Sequence, residues 1–309
     1  MRQTEIVAQL IRAARTDVEV RVVTTTTAGD QDKSSPFAAI GGKGLFTTAV
    51  ERLVIEGRAD VAVHSAKDLT AELASGCALV GVTTRASVHD VVVGGEGGTG
   101  EERLASLRSG LRVGTSSMRR RALLAELRPD LEPVELRGNL DTRLKKVAEG
   151  AVDAAILAAA GIERLGVIDE AAPAPLDDSW WVPPPGQGLL AIEAQARRSD
   201  LAELFRPLSD PRAGAELAAE RAFAAELEGG CSVPLGCRAR IDGDRLVVTG
   251  YLGTPDGSLA LRDRISGPAS GAARLGRELG GAIHSAGGDE ILADLKTLTA
   301  PEIPEIREP

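Results

Sequence analysis

The sequence predicts an α/β fold followed by a small α+β domain, and three observations support this prediction. Strand-like apolar runs alternate with amphipathic helix-like runs over the first two thirds of the chain. A turn-rich stretch near residues 171–188 then breaks the alternation and indicates a crossing between domains. Beyond it, a helical segment precedes apolar-polar alternation with Asp-Gly turns. Short strand, helix, strand connections favour parallel strands covered by helices, whereas Asp-Gly turns favour antiparallel hairpins.

Hydrophobic periodicity places the elements in order along the chain. The predicted strands of the first part are residues 18–27, 59–66, 111–117, 133–138 and 152–159. The predicted helices are residues 3–15, 45–57, 118–128, 140–150, 215–230 and 271–287. Residues 238–265 form antiparallel strands that turn at Asp242-Gly243 and at Asp256-Gly257.

Composition limits the classes of function. A chain of 309 residues is long enough for two or three domains. Its net charge of −9 argues against a general nucleic-acid or anionic-membrane binder. No apolar run reaches the length of a membrane span, and the first residues have no signal-peptide pattern, so we expect a cytoplasmic protein.

The stretch "LEGGCSVPLGC" contains two of the three cysteines, Cys231 and Cys237. Three cysteines in a reducing compartment do not suggest a disulfide framework. The spacing is not that of a zinc pair, and the histidines lie far away in sequence, so no metal is expected. An inert small residue, a nucleophile and a covalent anchor remain open for Cys231. Cys77 is interpreted as a small apolar residue.

Basic residues gather where predicted strands pass into helices. They are Lys43 beside the glycines of "GGKG", Arg119, Arg120 and Arg121 after "GTSS", Arg137 and Arg143 in "LRGNLDTR", and Arg164 in "GIERLG". Ser116 or Ser117 caps one helix and Asp141 another, yet cations at such N-termini oppose the helix dipole. The arrangement predicts an anion site at the carboxyl ends of the strands, and solvated salt bridges are the alternative.

Lys67 and Asp68 directly follow the strand at residues 59–66. They are therefore expected at the same edge as the basic residues, where the carboxyl ends of the strands lie. A carboxylate among cations stays ionised and can stabilise positive charge or move a proton. A helix cap or a simple ion pair is the structural alternative. His64 is expected to be structural.

Nine motifs occur in the order typical of one family. They are "TAGD", "IGGKGLF", "ADVAVHSAKDL", "VGTSSMRRR", "LRGNLDTRL", "DAAILAAAGIERLG", "PGQGLLAIE", "AAERAF" and "LEGGCSVPLG". Together they resemble the hydroxymethylbilane synthase (porphobilinogen deaminase) family. The resemblance implies two periplasmic-binding-protein-like domains with mixed, mainly parallel sheets plus a small C-terminal α+β domain. It places domain 1 at residues 1–84 plus 189–206, domain 2 at 89–182 and domain 3 at 211–309.

The resemblance implies a transferase of tetrapyrrole (haem, chlorophyll, corrin) biosynthesis that acts as a monomer. Such enzymes join four porphobilinogen molecules head to tail and release ammonia at each step. Water then releases the linear tetrapyrrole, hydroxymethylbilane. The growing chain is attached to a dipyrromethane cofactor, which is linked by a thioether to a cysteine that matches Cys231.

The resemblance also assigns site residues. Asp68 matches the catalytic carboxylate. Residues matched to cofactor binding are Lys43, Lys67, Asp68, Ser117, Arg119, Arg120 and Arg137, and those matched to substrate binding are Arg120, Arg143, Arg164 and Gln187. Cys237 is not part of the pattern.

The sequence also departs from the family. It begins after the first strand and the Thr-Arg-x-Ser loop of the family, which we attribute to a late start codon. Ala39 replaces a frequent lysine, and Leu69-Thr70 replace a segment that usually contains proline. A catalytically impaired enzyme or a non-catalytic small-anion-binding protein of the same fold is therefore the alternative function.

Overall fold

The computed structural model describes residues 2–25, 48–70, 72–229 and 233–297. Within these ranges the helices are α1 (Arg2–Ala14), α2 (Thr48–Ile55), α3 (Gly100–Ser106), α4 (Met118–Leu127), α5 (Leu140–Ala148), α6 (Ala159–Leu165), α7 (Ile168–Ala171), α8 (Ser199–Phe205), α9 (Pro211–Glu226), α10 (Ala272–Ile283) and α11 (Asp289–Thr297). The strands are β1 (Val61–Ser65), β2 (Cys77–Val82), β3 (Asp90–Gly94), β4 (Arg112–Gly114), β5 (Glu132–Val134), β6 (Ala154–Ala158), β7 (Ala174–Pro175), β8 (Leu190–Gln195), β9 (Leu235–Asp242), β10 (Arg245–Gly253) and β11 (Ala260–Pro268).

The first sheet has the strand order β1-β8-β2, and β8 runs antiparallel to both neighbours. Strand β8 enters this sheet after the chain has crossed back from β7, which belongs to the second sheet. One face of the sheet packs on α1 and α8 through Val7, Ile11, Ile192 and Phe205. The returning strand therefore ties the early and late parts of the chain into one core.

The second sheet has the order β5-β4-β6-β3-β7. Strand β4 pairs in parallel with β5 and β6, whereas β3 pairs antiparallel with β6 and β7. Helices cover both faces, with Leu104 and Leu123 buried on one and Ile162 on the other. The predicted mixed α/β architecture is confirmed.

The third sheet, β11-β10-β9, is fully antiparallel and packs against α9 and α10. Its first hairpin turns at Gly243, whose φ of +58° suits glycine, between the paired residues Asp242 and Arg245. Tyr251 projects from β10 into the core of the second sheet and is fully buried there. The small α+β unit predicted from the Asp-Gly turns is confirmed.

Two local predictions are wrong. Residues 18–25 form no strand, because alternating valines give an extended chain but no described strand pairs with it; residues 26 and 27 lie outside the described ranges. Asp141 is not a helix cap, because Asn139 takes that position and its side chain accepts from the Thr142 amide. Among the described helices, none is long and apolar enough to cross a membrane.

His284 joins α10 and α11, and its ring predicts how stability changes with pH. Nε2 lies 3.0 Å from the Glu226 carbonyl oxygen, and Nδ1 lies 2.6 Å from Asp289 Oδ1. Two acceptors favour the doubly protonated ring, so the Glu226 carbonyl and then Asp289 raise the pKa of His284. This stabilisation is complete below the pKa that His284 has in the unfolded chain, and it is lost as pH rises through the higher pKa of the folded protein.

We expect His284→Gln to destabilise the protein by about 1 kcal/mol at pH 5.5 and by much less at pH 8.5. Thermal unfolding at the two pH values tests this, and equal losses would contradict it.

Candidate active site

A cavity of about 360 Å³ lies where the ends of the first and second sheets face each other. Six of its lining residues are among those predicted from the sequence: Lys67, Asp68, Arg120, Arg143, Arg164 and Gln187. Four of these side chains are cationic, and Asp68 is the one acidic side chain that the described residues contribute to the lining. The cavity therefore suits a ligand with several carboxylates.

The Lys67-Asp68 pair lies on a single helical turn, Ala66–Asp68, that directly follows β1. Gly186 passes so close to this turn that a Cβ there would lie 2.7 Å from the Ala66 carbonyl carbon. Its φ of +77° also requires glycine. The "PGQG" segment and the Lys67-Asp68 turn consequently hold each other in place.

Lys67 is positioned by Gln187, whose Oε1 lies 3.4 Å from Lys67 Nζ. Burial lowers the pKa of Lys67 to about 8, although the neighbouring Asp68 opposes this shift. Asp68 itself is exposed to the cavity. A carboxylate that is open to a cavity and surrounded by cations can accept a hydrogen bond or a proton from a bound ligand.

Backbone carbonyl groups orient the arginines of the cavity. Arg120 donates from Nη1 to the Ile156 oxygen, Arg143 from Nε to the Gly138 oxygen, and Arg164 from Nη2 to the Gly188 oxygen. Burial lowers the pKa of Arg143 and Arg164 from their ordinary values, because it disfavours the charged form of a guanidinium group. A backbone hydrogen bond therefore orients each of the three guanidinium groups.

Three predicted residues do not line the cavity. Ser117 caps α4 and accepts from the Arg120 amide, Arg119 is buried against Asp90, and Arg137 pairs with Glu135 at 2.8 Å. Their assignments as cofactor contacts stay predictions. Lys43 and Cys231 lie outside the described residues, and so do their predicted roles.

The sequence analysis missed three residues of this region: Gln3, Asp90 and Glu220. Gln3, on α1, lines the cavity and donates from Nε2 to Ser65 Oγ at 2.7 Å. Asp90 is buried among Arg119, Arg120 and Gln187. The sequence feature that could have indicated Asp90 is its position as an acidic residue directly before the apolar run "VVV".

Glu220 of α9, also missed, joins the third sheet to the segments that link the other two. Its Oε2 accepts from the Gly186 amide at 2.7 Å and from Arg85 Nη2 at 2.6 Å. Its Oε1 accepts from the Ala239 amide at 2.8 Å. One buried carboxylate therefore meets backbone and side-chain donors from three parts of the chain.

The described thiols lie apart from the cavity. Burial and the nearby Glu193 raise the pKa of Cys77 to about 11, and burial and Glu220 raise the pKa of Cys237. His64 is buried beside Glu193, with 2.9 Å between Nε2 and Oε2. The described ranges contain no cluster of three or more histidine, cysteine or acidic residues arranged to hold a metal ion.

Comparison with known proteins agrees with this geometry. The family model "porphobilinogen deaminase, dipyromethane cofactor binding domain" matches residues 1–203, and the C-terminal domain model of the same enzyme matches residues 215–284. The porphobilinogen deaminase of Roseiflexus castenholzii is 44% identical over 94% of both chains. That of Methylobacillus flagellatus is 41% identical over 96% of this chain and 94% of the relative.

The probable porphobilinogen deaminase of Hyperthermus butylicus is 42% identical over 89% of this chain and 90% of the relative. These relatives are transferases, so they support the predicted enzyme rather than a non-catalytic anion binder. The chain belongs to the porphobilinogen deaminase family.

Proposed function

We propose that this chain joins four porphobilinogen molecules into hydroxymethylbilane at the cavity around Asp68. The observation that supports this most directly is the placement of one exposed carboxylate, Asp68, among four cationic side chains that line the same cavity. The cations pair with the acetate and propionate groups of the pyrroles. Asp68 is then the group that assists loss of the amino group as ammonia and stabilises the positive charge that develops on the pyrrole.

The residues present fit a dipyrromethane cofactor. Lys67, Arg120 and Arg143 supply the charges that its carboxylates require, and Gln187 adds an amide. When bound, the cofactor supplies the covalent primer to which pyrrole units are added. The described thiols do not suit attachment, because Cys77 and Cys237 both have raised pKa values and the thiolate is the reactive form. The proposed attachment residue is Cys231, as the family motif implies.

The other cofactor contacts of the proposal are Lys43, Asp68, Ser117, Arg119 and Arg137. The proposal also includes Arg164 as a substrate contact, a monomeric protein and a cytoplasmic location. The domain limits of 1–84 with 189–206, 89–182 and 211–309 complete it. Each pair of limits encloses the strands of one sheet, which supports them.

The test of the proposed function is turnover by the purified protein. Porphobilinogen consumed, ammonia released and linear tetrapyrrole formed are measured in the same reaction. We expect four ammonia molecules for each tetrapyrrole. Binding of porphobilinogen without release of ammonia would contradict the proposal and favour an anion-binding protein.

Removal of a cavity cation should weaken the reaction with porphobilinogen. We expect Arg143→Leu to lower kcat/KM by about 10- to 100-fold, because a charge-assisted hydrogen bond to a carboxylate is lost. Arg197→Leu is the matched control, since Arg197 is exposed and does not line the cavity. Equal activity of the two variants would contradict the assignment of Arg143.

The lowered pKa of Lys67 leads us to expect that substrate affinity depends on pH. Its pKa of about 8 means that the ammonium group is present below pH 8 and is lost as pH rises above that value. We expect KM to increase between pH 7 and pH 9, by about tenfold if carboxylate binding requires the charge. Lys67→Arg stays charged over this range, and its KM should change much less. A flat KM profile for the wild-type protein would contradict the prediction.

A further inference from the structure

Asp90, at the start of β3, is 1% exposed and accepts from four side chains. Oδ1 accepts from Arg120 Nη2 at 2.6 Å and from Gln187 Nε2 at 2.9 Å. Oδ2 accepts from Arg119 Nη2 at 2.5 Å and from Trp181 Nε1 at 2.9 Å. The carboxylate does not line the cavity, but two of its donors do.

The orientation of the Gln187 amide depends on Asp90. Nε2 of Gln187 donates to Asp90 Oδ1 and to the Val88 carbonyl oxygen at 2.7 Å. Both partners are acceptors, so this end of the amide must be the NH₂ group. The opposite end, Oε1, is therefore the one that faces Lys67.

Asp90 also neutralises part of the positive charge of two buried arginines beside the cavity, Arg119 and Arg120. Arg119 and Arg120 are 3% and 7% exposed, and Asp90 is the carboxylate that pairs with both. Burial alone would raise the pKa of Asp90, but the two arginines lower it well below its ordinary range. The carboxylate is therefore ionised at neutral pH, and Arg120 is held between it and the Ile156 oxygen.

We propose that Asp90 is a positioning residue for the reaction, which sets the orientation of Gln187 and Arg120 and so of the Lys67-Asp68 turn. The inference rests on the proposed function of the cavity. Asp90 touches neither substrate nor cofactor in this role, and it acts through its hydrogen-bond donors.

Trp181 provides the matched control within the same cluster. It donates to Asp90 but does not line the cavity. A structural role alone predicts that Asp90→Asn and Trp181→Phe lower both stability and activity to a similar degree. A positioning role predicts that Trp181→Phe keeps kcat/KM within about twofold of wild type, whereas Asp90→Asn lowers it about 10- to 100-fold.

The first experiment is a double-mutant cycle on kcat/KM in the cofactor-containing enzyme. If Asp90 acts through Gln187, the kcat/KM of the Asp90→Asn/Gln187→Met variant should be little lower than that of the less active single variant. Additive losses would overturn the coupling. Asp90→Glu keeps the charge that balances the arginines but moves the acceptor, so it replaces Asp90→Asn if that variant does not fold. Full activity of Asp90→Glu would also overturn the proposal.

The second experiment does not depend on turnover. The rate of Lys67 acylation is followed against pH by peptide mass spectrometry in wild type, Asp90→Asn and Trp181→Phe. Among the described residues, the charged groups acting on Lys67 are Asp68 on its own turn, Asp90 of β3, Arg120 of α4 and Arg143 of α5. We expect the midpoint of the profile to fall to lower pH in Asp90→Asn and to stay in place in Trp181→Phe. An unchanged midpoint in Asp90→Asn contradicts the positioning role, whereas an inactive wild-type protein contradicts the proposed function.

Discussion

Replacing Asp68 with asparagine is expected to lower kcat by about 10²- to 10⁴-fold, the usual contribution of a group that moves a proton or stabilises charge in a transition state. The side chain is exposed to the cavity, and Lys67, Arg120 and Arg143 surround it. Asparagine keeps the size of the group but cannot carry its negative charge or accept its proton. Because no buried contact is lost, the thermal unfolding midpoint should stay close to that of the wild type.

Asp141→Asn is the control for this prediction. Asp141 is an exposed aspartate on α5, next to cavity-lining Leu140, but it does not line the cavity. Its substitution should leave kcat unchanged. Asp68→Asn with normal kcat, or the same loss in both variants, would contradict the catalytic assignment of Asp68.

Replacing Cys231 with serine is expected to abolish turnover, because the proposed covalent primer then has no sulfur to which it can attach. The folded protein should still be obtained, and its cavity should still bind carboxylate-bearing pyrroles. Cys77→Ser is the control, since Cys77 lies on β2 away from the cavity and has a raised pKa. Turnover by Cys231→Ser at the rate of Cys77→Ser would exclude Cys231 as the attachment residue.

Local sequence patterns were sufficient for part of the fold, but they did not predict β2 and β8, two of the three strands of the first sheet. The strand at Val61–Ser65, the helix at Met118–Leu127 and the hairpin at Gly243 all follow from periodicity or turn chemistry within a few residues. Residues 18–25, the described part of the strand predicted at 18–27, form no strand because pairing requires a distant partner, which alternation of valines does not reveal. Strand β3 similarly needed the structure, because its antiparallel pairing with β6 joins residues far apart in the chain.

The cavity residues were predictable because the carboxyl ends of neighbouring strands meet at one edge of a sheet. Their supporting contacts were not. Asp90 meets Arg119 across 29 positions of the chain and Gln187 across 97, and no local pattern encodes such a meeting. The same reason explains Glu220, whose partner Arg85 lies 135 positions away.

The arginines show how sequence reasoning mixes two roles. All of those after "GTSS" were interpreted together as anion contacts, yet Arg119 is directed to Asp90 and to the Val182 carbonyl oxygen. Arg120 contacts the same carboxylate and also lines the cavity. A helix turn places successive side chains on different faces, so neighbours in the sequence point to different surroundings.

The most direct test of the proposed chemistry is the intact mass of the purified protein under denaturing conditions, measured beside Cys231→Ser. We predict that the wild-type chain exceeds its sequence mass by two condensed pyrrole units and that the variant has the mass of its sequence alone. A wild-type protein without added mass, or a variant that keeps it, would contradict a dipyrromethane cofactor attached at Cys231.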